Sequence, residues 1–218
     1  MPKILCIETA STNCSVAVSV DGKVLSVKED YNLNYSHAER LHLFIEEVLV
    51  DNNIKLEDLD AIAVSKGPGS YTGLRIGVSA AKGLCFSHDI PLISVPTLTA
   101  LGYQVDVKAM VIPMLDARRM EVYAGVFDAE RNQVQETAAI ILQEDSFKEF
   151  LDQEPVYFIG SGVEKFSEIC THPHAYFVKD KLPSAREMGP LATKKFKISD
   201  FEDVAYFEPF YLKDFIAG

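Results

Sequence analysis

The sequence predicts an α/β protein of two lobes, in which the element order β-β-β-α-β-α-β-α occurs twice. Short apolar runs bounded by turn residues recur in both halves of the 218-residue chain, and helix-like segments separate them. In each half a glycine-bearing turn, Gly67-Pro-Gly69 or Gly160-Ser-Gly162, joins the fourth strand to the next helix. The repeat is one of topology, because the two halves share no residue-level identity.

The first half opens with three predicted strands and a hairpin signal, Asp21-Gly22, between the second and the third. A helix is predicted to begin at Ser36, where a capping residue precedes an apolar run. The predicted elements of this half are strands at 3–8, 15–20, 24–29, 61–65 and 92–95 and helices at 36–50, 72–87 and 97–102.

The second half repeats this order. Its predicted elements are strands at 110–115, 121–127, 134–142, 156–159 and 175–178 and helices at 144–151, 163–169 and 184–197. We therefore expect a first lobe at 1–103, a shorter second lobe at 104–197, and a C-terminal tail, 198–218, that packs back on the first lobe. This order is typical of the two-lobe actin-like ATPase and sugar kinase architecture, which has an RNase H-like fold; one continuous mixed sheet is the alternative.

Composition excludes several classes of protein. Apolar residues make up 48% of the chain, as in globular proteins with a real core. The net charge of −11 disfavours tight binding of nucleic acid by the whole surface, although it leaves room for a local basic patch. No segment reaches the ~20 apolar residues of a membrane helix, and a charge follows the N-terminus too soon for a signal peptide. With four cysteines and no CxxC pair, we expect a reduced, cytoplasmic protein.

The most specific motif is Ser65-Lys-Gly-Pro-Gly-Ser-Tyr-Thr-Gly-Leu-Arg-Ile-Gly77. It lacks the Gly-Lys-Ser/Thr of a P-loop and the spacing of a dinucleotide fingerprint. Amides at a helix start can hold an anion, so an anion or nucleotide contact is predicted at Gly67, Gly69, Ser70 and Thr72. The alternative is a tight strand-to-helix turn whose glycines allow close packing.

The same run closely resembles the signature of the bacterial TsaB (YeaZ) family. The resemblance extends to Ile7-Glu-Thr-Ala, Ser36-His-Ala-Glu-Arg-Leu, Pro91-Leu-Ile-Ser-Val-Pro-Thr-Leu, Leu115-Asp-Ala-Arg-Arg-Met-Glu-Val-Tyr and Pro209-Phe-Tyr-Leu-Lys. Residues 128–200 are much less distinctive. The family implies a non-catalytic subunit that dimerises with and activates the catalytic paralogue TsaD, which transfers threonylcarbamoyl to N6 of adenosine 37 in tRNAs reading ANN codons.

The resemblance also implies which groups this chain lacks. TsaD carries two metal-binding histidines where this sequence has Thr97 and Leu101, and neither residue is a good metal ligand. We therefore expect no metal and no catalytic residue of its own, with ATP or ADP and a metal held by the partner subunits. The expected partners are TsaD, the ATPase subunit TsaE and, in their absence, a second copy of the chain; tRNA is expected to contact it only indirectly, and no membrane is expected.

Two carboxylates, Glu8 and Asp116, each end the first strand of a half. Such positions face the cleft between the lobes in active relatives and handle metal-bound phosphate there. Here we expect a structural role, in which each carboxylate accepts hydrogen bonds from backbone amides of the hairpin. Two enzymatic alternatives remain for the same fold, a small-molecule kinase and a metallopeptidase-like enzyme.

A protein interface is predicted on the helices at 36–50 and 72–87. Leu43 and Val50 lie seven residues apart on the polar side of the first helix, and the second helix is rich in small residues that allow close backbone approach. The family implies docking through these helices. The predicted interface comprises Leu43, Val50, Leu74, Gly77, Val78, Ala81 and Leu84; scattered surface residues and a wide core face are the alternative.

Overall fold

The computed structural model describes residues 1–31 and 37–213 and contains two separate five-stranded sheets. The chain divides into two compact units. The first unit comprises the described residues up to Ala100 and those from Pro183 onward, and the second is Leu101–Leu182. The predicted two-lobe α/β architecture is confirmed, and the alternative of one continuous sheet is wrong.

Ten strands and six α-helices make up the regular structure of the described residues. The strands are β1 (Lys3–Glu8), β2 (Cys14–Val20), β3 (Lys23–Asp30), β4 (Ala61–Ser65), β5 (Leu92–Val95), β6 (Met110–Asp116), β7 (Glu121–Phe127), β8 (Gln133–Ile141), β9 (Val156–Ile159) and β10 (Ala175–Val178). The helices are α1 (His37–Asp51), α2 (Tyr71–His88), α3 (Thr97–Gly102), α4 (Lys148–Leu151), α5 (Val163–Ser167) and α6 (Met188–Lys197). A short 3-10 helix, Leu56–Asp58, precedes β4.

The two sheets have the same topology. Their strand orders are β3-β2-β1-β4-β5 and β10-β9-β6-β7-β8. If the strands of the second sheet are renumbered from its own first strand, β6, and the order is read from β8 to β10, the two orders are identical. In both, the first strand pairs antiparallel with the second and parallel with the fourth. This topology is the predicted RNase H-like duplication.

The first sheet is covered by helices on both faces. Side chains alternate along β1, as they do in any strand, so that Leu5 and Ile7 point to one face and Ile4 and Cys6 to the other. The face with Leu5 and Ile7 packs against α1 and α2, and the face with Ile4 and Cys6 packs against α6. Both faces of β1 are therefore buried, which explains its continuous apolar sequence.

Helix α6 lies in the first unit, although the sequence placed residues up to 197 in the second lobe. Its Met188 and Ala192 are fully buried in the same cluster as Ile4 and Ile93 of the first sheet. The predicted end of the second lobe at 197 is wrong, because the apolar face of α6 packs on the first sheet. The boundary predicted at 103 lies three residues from the one observed after Ala100.

The tail that follows α6 also contacts the first unit. The Glu202 amide donates to the Leu92 carbonyl at 2.8 Å, which adds a bridge at the outer edge of β5. The Lys82 ammonium donates to the carbonyls of Ala205 at 3.1 Å and Phe207 at 2.9 Å. An otherwise exposed strand edge is thereby covered, as native sheets require.

The second unit has its own core. Phe158 and Phe166 are fully buried, with ring centroids 4.9 Å apart, and Phe147 lies 5.7 Å from each. Edge-to-face packing of this kind stabilises the pair beyond the area that it buries. Phe147 has a left-handed φ of 61° at the start of α4, which is four residues long and shorter than the predicted helix.

Other local expectations have mixed outcomes. The helix predicted to begin at Ser184 begins at Met188, because the Ser184 hydroxyl accepts the Arg186 amide in a preceding turn. Ser36, the predicted start of the first helix, lies outside the described residues. The four cysteines are free and buried, as expected. Within residues 1–31 and 37–213, every helix is too short or too polar to cross a bilayer.

Candidate functional site

The two strand-end carboxylates make equivalent hydrogen bonds. The Glu8 carboxylate accepts the amide of Ala10 at 2.7 Å, and the Asp116 carboxylate accepts the amide of Arg118 at 2.6 Å. In each case the carboxylate accepts a hydrogen bond from the backbone amide two residues further along the chain, where the chain turns away from the strand. These are the backbone contacts predicted for a structural role.

The environments of the two carboxylates differ. Glu8 is fully buried, whereas half of the Asp116 side chain is exposed and pairs with the Lys165 ammonium at 3.0 Å. Burial raises the pKa of Glu8 to about 7, because the charged form loses its hydration. The Oε2 atom of Glu8 has no hydrogen-bond partner among the described residues. Glu8 therefore stays protonated to a higher pH than an exposed carboxyl would, while its carboxylate oxygen holds the hairpin amide.

The glycine-rich loop directs its backbone donors inward. The Gly67 amide donates to the Thr97 hydroxyl at 3.1 Å, and the Ser70 amide donates to the Ala10 carbonyl at 2.7 Å. The Ser70 hydroxyl caps α2 by accepting the Gly73 amide at 3.2 Å. These donors are engaged within the unit and do not point to a ligand.

The glycines of this loop pack directly against the end of β1. A Cβ atom at Gly69 would overlap the carbonyl of Ala10, and one at Gly73 or Gly77 would overlap Thr9. Gly67 also has a left-handed φ of 104°, which favours glycine. The loop is thus the tight strand-to-helix turn of the alternative interpretation. The anion or nucleotide contact predicted at Gly67, Gly69, Ser70 and Thr72 stays a prediction, and Thr72 is the exposed member of this set.

The two positions that differ from the metal-binding histidines have packing roles. The buried Thr97 hydroxyl is the acceptor for the Gly67 amide, and Leu101 is fully buried. Among the described residues, no three His, Cys, Asp or Glu side chains come together in a group that could hold a metal ion.

The predicted interface residues separate into two groups. Leu43 and Val50 of α1 are 42% and 66% exposed. The remaining five lie on the inner side of α2, where Leu84 is half-buried against the core and the others are buried: Leu74, Gly77, Val78 and Ala81. The expectation that these four form a contact surface is wrong, because their side of α2 packs on the sheet of their own unit.

The outer side of α2 carries a different set of exposed residues. Ser79, Gly83 and Phe86 follow at spacings of four and three, so they form one stripe along the helix. Phe86 is 85% exposed, so its ring buries very little apolar area within its own unit. The helical period, counted outward from the buried Gly77 and Ala81, could have identified this stripe.

Gly83 differs from the other glycines of α2. Among the described residues, no atom lies within 4 Å of where a Cβ atom would stand at this position, and the residue is exposed. Glycine inside a helix lowers stability by about 1 kcal/mol relative to alanine, so contacts with the described part of the chain do not explain why glycine is present here. We define the outer face as Leu43 and Val50 of α1 together with Ser79, Gly83 and Phe86 of α2.

Comparison with known proteins identifies the family. A family model described as TsaD, tRNA N6-adenosine threonylcarbamoyltransferase, matches residues 33–217. The tRNA threonylcarbamoyladenosine biosynthesis protein TsaB of Bacillus subtilis is 33% identical over 195 residues, which cover 87% of this chain and 80% of that protein. The chain belongs to the TsaB (YeaZ) family. The TsaB protein of Escherichia coli is 28% identical over 99% of this chain and 96% of its own length.

The match to the TsaD enzymes themselves is partial. The tRNA N6-adenosine threonylcarbamoyltransferase of Staphylococcus aureus is 40% identical over 107 residues, which cover 42% of this chain and 31% of that protein. Among solved structures, YeaZ from Pseudomonas aeruginosa matches with a TM-score of 0.86 and 26% identity, over 97% of this chain and all of that one. The TsaB family therefore shares both the fold and the full length of this chain.

Proposed function

We propose that this chain is a non-catalytic subunit of the machinery that makes tRNA threonylcarbamoyladenosine. In this proposal it binds the catalytic paralogue TsaD through the outer face, keeps that enzyme in its active arrangement, and helps to form the surface that the ATPase subunit TsaE recognises. The names of its full-length relatives support a role in this pathway. The partial match to a threonylcarbamoyltransferase supports a partner related to this chain.

The exposed apolar residues of the outer face are the observation that carries the proposal. Phe86 and Val50 are 85% and 66% exposed, and each is on a long helix that packs on the same side of the first sheet. Aromatic side chains that pack into a partner are frequent anchors of protein interfaces. Two helices on each side can supply the ~1,600 Å² that a standard interface buries.

Gly83 indicates what kind of surface the partner presents. Helices pack at interaxial distances of 8–10 Å, and small residues at the crossing allow the shorter values. With open space above Gly83 and the small Ser79 one turn away, α2 can admit a helix of another chain at close range. A helix pair of the paralogue, or that of a second copy of this chain when the paralogue is absent, fits this surface.

Two positions where active relatives carry reactive or metal-binding groups serve the packing of this chain, which supports an accessory role over an enzymatic one. Thr97 supplies a buried hydroxyl to the Gly67 amide, and Glu8 holds the Ala10 amide. Thr97 and Glu8, which stand where active relatives carry chemistry, are thus used to maintain this chain's own fold. Nucleotide and metal are accordingly assigned to the partner subunits.

Reconstitution tests this proposal. The purified paralogue and the ATPase subunit should form the modified adenosine much faster with this chain than without it, and equal rates would contradict the proposal. Phe86→Glu should weaken association with the paralogue at least tenfold. Tyr206→Glu is the matched control, because Tyr206 is an equally exposed aromatic residue (83%) on the tail of the same unit. Circular dichroism checks that both variants fold.

A further inference from the structure

The turn between β6 and β7 presents two consecutive arginines, Arg118 and Arg119, to solvent. Both have a left-handed backbone, with φ of 71° and 50°. This conformation is unfavourable for residues with a Cβ atom and favours glycine or asparagine. Arginine therefore occupies two positions where the backbone alone favours other residues, and such a conflict with local preference is typical of functional positions.

The ammonium group of Lys165, whose side chain is 15% exposed, holds the turn in this shape. The Lys165 ammonium donates to the Asp116 carboxylate at 3.0 Å, the Arg119 carbonyl at 2.8 Å and the Glu121 carbonyl at 2.5 Å. Three acceptors engage all three of its donors. The Asp116 amide adds a hydrogen bond to the Ser161 hydroxyl at 3.0 Å. The tip that carries the arginines is thus fixed to the body of its own unit.

The charges of the two guanidinium groups are uncompensated. Within residues 1–31 and 37–213, neither Arg118 nor Arg119 forms an ion pair with a carboxylate. Asp116, the acid next to the turn, is already paired with Lys165. In a chain whose net charge is −11, two adjacent unpaired cations form a local basic patch. We name this pair the arginine turn.

We propose that the arginine turn contacts the phosphate backbone of the RNA substrate, so that this subunit touches tRNA directly. The proposal rests on the function proposed above and adds a contact to it. A guanidinium presents a planar fork of donors that matches a phosphate, and a turn that is already fixed loses little freedom on binding. Met120, 38% exposed, is the apolar residue within the turn, and Ile141, 68% exposed, lies beside it as the register partner of Glu121. Two adjacent cations without carboxylate partners among the described residues favour a phosphate, because each guanidinium needs an anionic acceptor.

The test measures tRNA binding by the assembled complex of this chain and the paralogue at several salt concentrations. Arg118→Gln/Arg119→Gln should lower the affinity roughly tenfold at physiological salt and reduce the slope of log K against log salt by about 1.4 to 1.8, as the loss of two phosphate contacts requires. Arg118→Lys/Arg119→Lys keeps the charges and should keep the slope. The double variant Arg118→Gly/Arg119→Gly also removes both charges. Because glycine adopts the left-handed conformation of this turn readily, it tests the same loss without straining the backbone.

The control is Lys179→Gln/Lys181→Gln, which removes two exposed cations from the same unit. It should leave affinity and slope unchanged, and an equal loss would reduce the effect to net charge and overturn the inference. A wild-type slope in the Arg→Gln or Arg→Gly variants would also overturn it. So would loss of complex assembly without RNA, because the turn would then belong to a protein interface. A wild-type chain that fails to assemble with the paralogue refutes the proposed function itself.

Discussion

Substitutions at Gly83 separate the stability of the chain from its association with a partner. A Cβ atom at Gly83 would meet no atom of residues 1–31 and 37–213 within 4 Å, so Gly83→Ala should gain the full difference in helix propensity between glycine and alanine. We expect its free energy of unfolding to rise by about 1 kcal/mol, which raises the Tm by about 2–4 °C in a chain of this size. Urea or thermal unfolding followed by circular dichroism measures this change.

The same position should respond in the opposite direction in the complex. Gly83→Leu fills the open space over α2 without touching the chain's own core, so the isolated chain should remain at least as stable as the wild type. Its affinity for the paralogue should fall at least tenfold, because the partner helix can no longer approach closely. Size-exclusion chromatography and calorimetry measure the affinity.

A glycine of the inner side provides the matched control. At Gly77 a Cβ atom would overlap the Thr9 side chain, so Gly77→Ala should destabilise the isolated chain by about 1–3 kcal/mol despite its better helix propensity. The reasoning is refuted if Gly83→Ala destabilises the isolated chain, or if the stably folded Gly83→Leu variant binds the paralogue with wild-type affinity.

Three further predictions concern groups inside the first unit. Burial raises the pKa of Glu8 from 4.5 to about 7, so the protonated group stabilises the fold at low pH and that contribution is lost as the pH rises to 7. The free energy of unfolding of Glu8→Gln, measured relative to that of the wild type, should therefore rise by about 3 kcal/mol from pH 4.5 to pH 8. If the stability of the two proteins has the same pH dependence, this prediction is contradicted. Thr97→Val removes the acceptor of the Gly67 amide and should lower stability by about 1–3 kcal/mol in urea unfolding, whereas Thr97→Ser should lower it less. Lys82→Met removes the donor to the Ala205 and Phe207 carbonyls, so amide hydrogen exchange should accelerate in residues 203–210, and unchanged exchange there would show that the apolar contacts of the tail suffice.

The sequence predicted the sheets well because their signals are local. Apolar runs such as Ile4–Ile7 and turns such as Asp21-Gly22 act over a few residues, and the predicted strands agree with the structure to within one residue at each boundary. Helix α6 was assigned to the wrong lobe for the opposite reason. Its place depends on the complementarity of Met188 and a distant sheet face, which no local pattern encodes.

The interface was predicted only partly because an apolar helix side does not reveal what it contacts. Val78 and Ala81 pack on the sheet of their own unit, but their spacing would serve a partner helix equally well. Phe86 was not predicted because its apolar neighbours Leu84 and Cys85 belong to the inner side of α2. Its exposure follows only when the helical period is counted outward from the buried Gly77 and Ala81. The roles of Gly77 and Gly83 became distinct only when the atoms around each position were known.

The return of α6 to the first sheet has a consequence for biosynthesis. Ribosomes release a chain from its N-terminus, so the second unit, continuous in sequence, is complete before residues 188–197 emerge. Until then the side of the nascent first sheet that carries Ile4, Cys6 and Ile93 stays uncovered. The first unit therefore completes its core only after residues 188–197 have been made, and until then this apolar face is a site of aggregation risk.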